Sequence, residues 1–394
     1  MSTLDSILES STTDSKNSIP SIVCLAVDSH GTEIYTKVSG NCSLSESAPP
    51  VTTDSIFKLA SCTKIITTIC ALRLVARGTF ALDDPNIIQT HLPELWALEI
   101  VSLDEKQQLN YKPRKNAITL RHLLTHSSGV GYDIIDPRLQ AWRKERGEQP
   151  MAIQGPLPDA VATPLLFEPG EGWAYGGGLD WVALLIERVA GRKFSDVLKE
   201  DVFEIVGCNA GIGFGQAHMA EVGTVVETAT RGKNRLEVFN VGEIKSEMGG
   251  GSLLASPANF LRIVKDLASA TPKLLDNPEL DVLFAPQFSP GSQSLEAFHA
   301  SAPVFTSMIG ALTSTLPVTA LNHGLGGLLV TENSENLGKT KGTMAWGGAF
   351  NCFWFANRDT GVAALYFSSM WPPGDAKSSE LMSGFVKEVW DKLS

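Results

Sequence analysis

β-rich segments lie at both ends of this 394-residue chain, with a helix-rich stretch between them. Near the start, Ile22-Val23-Cys24-Leu25-Ala26-Val27 reads as a buried strand. Asp28-Ser29-His30-Gly31 is a turn and Glu33 to Val38 alternates, so the two runs predict a hairpin. Near the end, Gly326 to Val330, Gly342 to Trp346, Phe350 to Ala356 and Gly361 to Phe367 are short β-rich runs, with turns at 333–338 and 357–359. Strands must pair and cover a face, so these facts together predict one antiparallel sheet assembled from both termini. The expected class is α/β (α+β), with flanking helices and an inserted, mostly helical region. The expected boundaries are 1–80 plus 246–394 for the sheet domain and 81–245 for the insert.

The helices follow from apolar spacing and caps. Leu4 to Glu9 reads as a short helix, and Ile65 to Ala76 is apolar nearly all round, as in a buried helix ended by Gly78. Thr53 to Lys58, just before it, alternates like a strand. Thr119 to Thr125 predicts a short helix. Asp180 to Ala190 predicts an amphipathic one, with Asp180 as N-cap and Gly191 past its end. Ser256 to Leu267 is opened by Pro257, and a last helix spans about Ser379 to Lys392. The prolines at 150, 156, 158, 164 and 169 make 149–172 an irregular covering loop.

Charge and composition exclude several roles. The net charge is −11, and the densest basic stretches, Lys112-Pro-Arg-Lys115 and Arg143-Lys-Glu-Arg146, are short. A nucleic-acid partner needs a broader basic surface. No apolar run has the length of a membrane span, and the first residues lack a basic and apolar leader. The cysteines are scattered with no C-x-x-C pair, which predicts reduced thiols in a cytoplasmic protein.

Three elements could carry chemistry. Ser-x-x-Lys occurs as Ser55-Ile-Phe-Lys58 and as Ser61-Cys-Thr-Lys64. Ser61 opens the buried helix, where residues three apart share a face and the helix N-terminus favours negative charge on the hydroxyl. A buried lysine amine beside a serine can serve as its base. The alternative is a serine cap followed by a lysine on the next turn. Tyr175 lies between a Pro/Gly loop and a capped helix, in Trp173-Ala-Tyr-Gly-Gly177, where it could be a base or a packed aromatic. Gly347 and Gly348 sit in the strand Met344-Ala-Trp346-Gly-Gly-Ala349 and mark either a bulge or a close approach. His122 and His126 are four apart and could share a helix face as metal ligands, or could merely end a helix. No G-x-S-x-G, H-E-x-x-H or Walker A pattern occurs.

In this order, Ser61/Lys64, Tyr175 and Trp346-Gly347-Gly348 resemble the motifs of the serine β-lactamase and penicillin-binding-protein superfamily. The Trp-Gly-Gly form is similar to the family VIII esterases and the fungal lovastatin-type acyltransferases. Ile118-Thr-Leu-Arg-His-Leu-Leu-Thr-His-Ser-Ser-Gly129 and Gly324-Leu-Gly-Gly327 also look like segments of the fungal enzymes. The resemblance implies an acyl-enzyme on Ser61, with Lys64 and Tyr175 moving the proton and the N–H groups of Ser61 and Ala349 holding an oxyanion. It implies no cofactor and no metal. Trp346, Gly347, Gly348, Trp173 and Gly177 are the expected substrate-binding residues, and Trp346 is expected to pack on the acyl chain. Segments 149–172 and 284–320 are candidate walls of the acceptor pocket; Phe167, Trp173, Phe298 and Phe305 could line it, although core packing is the commoner role for each such aromatic. Gly177 stands where the β-lactamases have the Asn of Tyr-x-Asn, and Trp346 where they have the Lys of Lys-Thr-Gly. Both departures favour neutral esters or thioesters over β-lactams. The implied partners are a small acyl donor, free or carrier-bound, and an alcohol or water as acceptor. Transfer to an alcohol of a specialised metabolite, plain ester hydrolysis and a catalytically silent scaffold are the three readings.

Overall fold

The computed structural model describes residues 3–13, 18–151, 154–242 and 244–393. Its main sheet draws on both ends of the chain. From the start come β1 (Ser21–Val27) and β2 (Glu33–Gly40). From the end come β3 (Leu321–His323), β4 (Leu328–Val330), β5 (Thr343–Gly348), β6 (Cys352–Asn357) and β7 (Val362–Ser368). The seven strands run in the order β3-β4-β5-β6-β7-β1-β2, antiparallel throughout. The two ends meet where β1 pairs with β7, Ile22 opposite Ser368 and Val27 opposite Ala363. Every residue of β1, β6 and β7 is buried, so these strands are covered on both faces.

Helices supply that cover. We label α1 (Thr3–Thr13), α2 (Thr63–Ala76), α3 (Leu120–Leu124), α4 (Gly178–Ala190), α5 (Pro257–Leu267) and α6 (Ala376–Asp391). Helix α5 packs on β1, β6 and β7, while α6 packs on β7 and on α1. Ser256 caps α5 by accepting from the Asn259 N–H, and Asp375 caps α6 by accepting from the Ser378 N–H. Helix α2 is buried on nearly all sides and packs on α4. It ends at Gly78, whose φ of 72° suits glycine. No helix among the described residues is long and apolar enough to cross a membrane.

Several expectations need correction. Only Phe57–Lys58 of the stretch from Thr53 is strand, and it pairs with Leu254–Ala255. The residues before it turn instead, because the Ser55 N–H donates to the Thr52 carbonyl and the Ser55 hydroxyl accepts from the Thr52 N–H. The middle region also holds strands. Ile100–Leu103 and Leu109–Lys112 form a hairpin, Ile212–Gly213 joins Leu254–Ala255, and Ala229–Arg231 lies between Leu236–Val238 and Met370–Trp371. Most of these strands are two to four residues long, too short for periodicity to reveal. Helix α4 starts one turn earlier than its aspartate suggested. Its N-cap is Gly177, and Asp180 sits inside the first turn, buried.

Arg143, from one of the two basic stretches, is not at the surface. It is 2% exposed and donates to the Asp133 carboxylate, to Glu148, and to the carbonyls of Asp159 and Ala160. The residue before Asp133 is Tyr132, so this ion pair holds the loop that carries it. Arg143→Ala strips the guanidinium from a buried carboxylate and is expected to destabilise the fold by about 3–5 kcal/mol, measured by urea unfolding.

Candidate active site

The site begins at a strained turn. After Phe57–Lys58 the Leu59 N–H donates to the Leu253 carbonyl at 3.0 Å. Ala60 then takes φ 44°, in the left-handed region that alanine avoids. A single 3₁₀ turn, Ala60–Cys62, leads into α2. This places the half-buried Ser61 hydroxyl at the N-terminal end of a buried helix.

Lys64 follows one turn later and is 1% exposed. Its amine donates to Ser61 Oγ at 3.1 Å, to the Gly250 carbonyl at 2.7 Å and to the Tyr132 hydroxyl at 3.4 Å. It also lies 4.7 Å from the centre of the Tyr175 ring. The Tyr175 hydroxyl donates to Ser61 Oγ at 2.6 Å, and the Trp346 indole N–H donates to the Tyr175 oxygen at 3.3 Å. Ser61, Lys64, Tyr175 and Trp346 therefore form one hydrogen-bonded chain. It starts on α2, passes through the loop before α4 and ends on β5.

The two glycines of β5 serve a close approach and not a bulge. Gly347 and Gly348 pair in register with Phe353 and Cys352. A Cβ on Gly347 would lie 2.4 Å from the Met308 carbonyl oxygen, and one on Gly348 would lie 2.3 Å from that of Leu59. The end of β5 is thus pressed onto the turn that carries Ser61, and Ala349 is the next residue of the chain.

Two of the expected substrate-binding residues are buried beside Tyr175. Trp346 is 1% exposed and Trp173 is 5% exposed. Trp173 stacks on Tyr175 with centroids 6.2 Å apart and meets Phe298 and Phe305 edge-on. These rings pack among themselves and against Tyr175, the core role that each aromatic could take. Gly177 lies against Val161. Phe167 is half-buried against Gly172. His122 and His126 do not share a helix face. The His122 Nδ1 accepts from the Thr119 N–H in the cap of α3, whereas His126 lies past the end of α3 with φ 59° and its ring 4.9 Å from that of Tyr175.

A cavity of about 520 Å³ opens beside the site. Phe350, one residue past Ala349, and Gly251, one past Gly250, form its inner wall, and Phe214, Ile244 and Leu253 make it apolar. Its walls are Phe214 to Ala217, Asn240 to Gly242, Ile244, Ser246 and Gly251 to Leu254. Among the described residues its one lysine is Lys58, from the other Ser-x-x-Lys pair. Burial lowers the Lys58 pKa, the Glu227 carboxylate nearby opposes that shift, and the amine lies 3.4 Å from Thr228 Oγ1.

The sequence motifs do not single out Tyr132, and they offer Asp180 only as a helix cap. Tyr132 follows Gly129-Val-Gly131 much as Tyr175 follows its own Pro/Gly loop, and that parallel was the available signal. Asp180 is the only charged residue in the run from Leu179 to Ile186, which marks it as a buried carboxylate.

Residues 12–382 match the family model described as Beta-lactamase. The chain belongs to the beta-lactamase family. Within it, the chain is 28% identical to the acyltransferase calJ of Penicillium decumbens, covering 99% of this chain and 98% of that one. It is 29% identical to a lovastatin esterase of Penicillium rubens, covering 95% and 94%. It is also similar to the solved simvastatin synthase (LovD) of Aspergillus terreus, with TM-score 0.85, 25% identity and 98% and 97% of the two chains covered. This beta-lactamase-like fold is the sheet-and-helix arrangement expected from the sequence, and the chain's relatives are acyltransferases and esterases.

In this family member the glycine contact is testable. Gly348→Ala must push β5 away from Leu59 and is expected to cut ester turnover at least tenfold and to cost about 1–3 kcal/mol of stability. Steady-state kinetics and thermal melts check the two effects.

Proposed function

We propose that this chain is a serine acyltransferase that forms an acyl-enzyme on Ser61. The observation that carries the reading is the position of Ser61 Oγ, held at once by Lys64 Nζ at 3.1 Å and by the Tyr175 hydroxyl at 2.6 Å. Ser61 Oγ attacks the carbonyl carbon of an ester or thioester. Its proton passes to the Lys64 and Tyr175 pair, and the carbonyl oxygen becomes an oxyanion. The N–H groups of Ser61 and Ala349 receive that charge, at about 2.7–4 kcal/mol for each donor. Collapse expels the alcohol or thiol, which takes the proton, and leaves the acyl group on Ser61. An acceptor alcohol then runs the same steps in reverse.

The relatives favour transfer. The calJ protein is called an acyltransferase, and a relative from Aspergillus terreus, 27% identical over 94% of this chain, is called monacolin J acid methylbutanoyltransferase. The second reading is hydrolysis by the same acyl-enzyme, favoured by the likeness to the lovastatin esterase. The donor is a small ester or thioester, free or on a carrier, and the acceptor is an alcohol of a specialised metabolite. The division at 1–80 plus 246–394 against 81–245 belongs to this proposal, as does a cytoplasmic location with the six thiols free.

Lys58 refines the acceptor. An amine in an apolar cavity beside the site suits an acceptor that carries a carboxylate, although the missing Lys-Thr-Gly lysine pointed only to neutral substrates. A charge-assisted hydrogen bond of about 1.5–3 kcal/mol corresponds to roughly 10–100-fold in affinity. Lys58→Met is therefore expected to raise KM for an acid-bearing alcohol by about tenfold or more, and to leave KM for its methyl ester within about twofold. Equal effects on both would remove this role.

Transfer itself is tested with a short acyl thioester, with and without a panel of alcohols, followed by mass spectrometry. The expected result is acylated alcohol as the main product, a Ser61-linked acyl adduct in the intact mass, and loss of both in Ser61→Ala. Free acid as the main product with every alcohol would assign the chain to hydrolysis.

A further inference from the structure

Among the described residues no carboxylate contacts Lys64 directly, yet one lies a single group away. The Tyr132 hydroxyl sits between them, 3.4 Å from Lys64 Nζ and 3.5 Å from Asp180 Oδ2. A second link runs through one residue of backbone. The Gly250 carbonyl accepts from Lys64 at 2.7 Å, while the Gly250 N–H donates to Asp180 Oδ1 at 2.7 Å. Lys64 and Asp180 thus hold Gly250 from both sides. The fit is tight enough to require glycine, because a Cβ there would lie 2.9 Å from both Asp180 oxygens and 3.0 Å from the Tyr132 oxygen. Asp180 and Lys64 are each 1% exposed.

A buried carboxylate with no arginine or lysine in direct contact is costly to keep. Asp180 is not the N-cap of α4, a position that Gly177 holds; its oxygens turn instead to the Gly250 N–H and the Tyr132 hydroxyl. Its two oxygens face the two groups that steady Lys64.

We propose that Asp180 and Tyr132 are positioning residues for Lys64: with the Gly250 peptide they fix its amine beside Ser61, and the Asp180 carboxylate balances the positive charge on Lys64 as the Ser61 proton leaves. The inference rests on the Ser61 acyl-enzyme reading above. In the step concerned, the Ser61 O–H bond breaks, the oxygen bonds the acyl carbon, and the proton stays within the Lys64 and Tyr175 pair. The pair gains one positive charge as the oxyanion forms. Asp180 meets that charge at no cost in reorganisation, because both its oxygens are already held.

The arrangement sets a pH dependence. The titratable groups facing Asp180 are Lys64 from α2 and Tyr132 from the loop after α3; Gly250 and Gly177 present backbone. Burial raises the Asp180 pKa to about 6, against the opposing pull of the Lys64 charge and the Gly250 N–H. Asp180 therefore loses its charge as pH falls through about 6, and kcat falls with it. The buried rings of His126 and His323 titrate lower, His126 pushed well down and His323 to about 4, so they do not account for a limb at that pH. The sign for stability is the opposite one. An acid whose folded pKa is raised binds its proton more tightly in the folded state, so it stabilises at low pH and weighs on the fold above about 6.

The test compares wild type, Asp180→Asn and Tyr132→Phe on a p-nitrophenyl ester from pH 5 to 9, with thermal melts at pH 7.5 and a phosphonate label on Ser61 read by intact mass. For Asp180→Asn the expected result is a kcat at least tenfold lower, KM within twofold, no acid limb near pH 6, and a Tm equal to or above that of wild type. A purely structural aspartate would lower Tm and leave the acid limb of the surviving enzyme in place. A folded Asp180→Asn with kcat within twofold of wild type, or with the acid limb unchanged, overturns the proposal. If Asp180→Asn does not fold, Tyr132→Phe decides: at least a fivefold loss of kcat with the acid limb kept supports the inference, and kcat within twofold overturns it. Labelling of Ser61 in the wild type separates the two readings. If Ser61 takes the phosphonate and Asp180 proves silent, only the positioning role fails. If Ser61 takes none, the acyl-enzyme reading fails first and the positioning role with it.

Discussion

The pairing of β1 with β7 is the contact on which the rest of the molecule depends. It joins residues 21–27 to 362–368 and so closes a loop that holds almost the whole chain. Closing a long loop is entropically unfavourable before any distant contact forms, and a sheet of this kind has a high contact order. The gain is collective. Three neighbouring strands, β6, β7 and β1, are buried along their full length, and α5 lies across all of them. With that seam made, β5 has a fixed place, and so does everything β5 touches.

What β5 touches is the turn at Ser61. The serine and lysine come from α2, the tyrosine from the loop before α4, and the indole and glycines from β5. No one of these segments has the chemistry alone. The strained φ of Ala60 fits this assembly, since the contact of Gly348 with Leu59 and the hydrogen bond from Leu59 to Leu253 hold the turn from two sides. Strain of about 1–3 kcal/mol persists where the surroundings over-determine the backbone.

The sequence made some of this legible and left some of it hidden, for physical reasons. Ser61 and Lys64 stand three apart on a helix, so local geometry alone brings them together. Buried strands such as Ile22 to Val27 announce themselves by apolar runs. Tyr175 and the glycine pair could be singled out because loops and glycines inside strands are unusual places for such residues. Asp180 was read as a helix cap because a cap is the common local use of aspartate before an apolar run. Its partners, Tyr132 and Gly250, lie 48 and 70 residues away, and only the closed fold brings them to it. Lys58 was passed over for a similar reason. Its cavity is made from segments near 215, 240 and 252 that carry no periodic signal. The place of Trp346 next to the acyl chain came from the resemblance alone, and what only the tertiary packing shows is that its indole is buried with its N–H turned to Tyr175.

The close seat of Gly347 and Gly348 has an evolutionary side. That stretch of β5 carries no side chain next to the reacting atoms, and its neighbours leave no room for one. Natural variation therefore has little material to work with on the sheet side of the site. The cavity walls at 214–217 and 240–242 lie in short elements and loops that tolerate exchange. A lineage with this architecture can change what it accepts by rewriting those walls while the proton-handling core stays as it is. Hydrolases and transferases that share one scaffold are the expected outcome of that division.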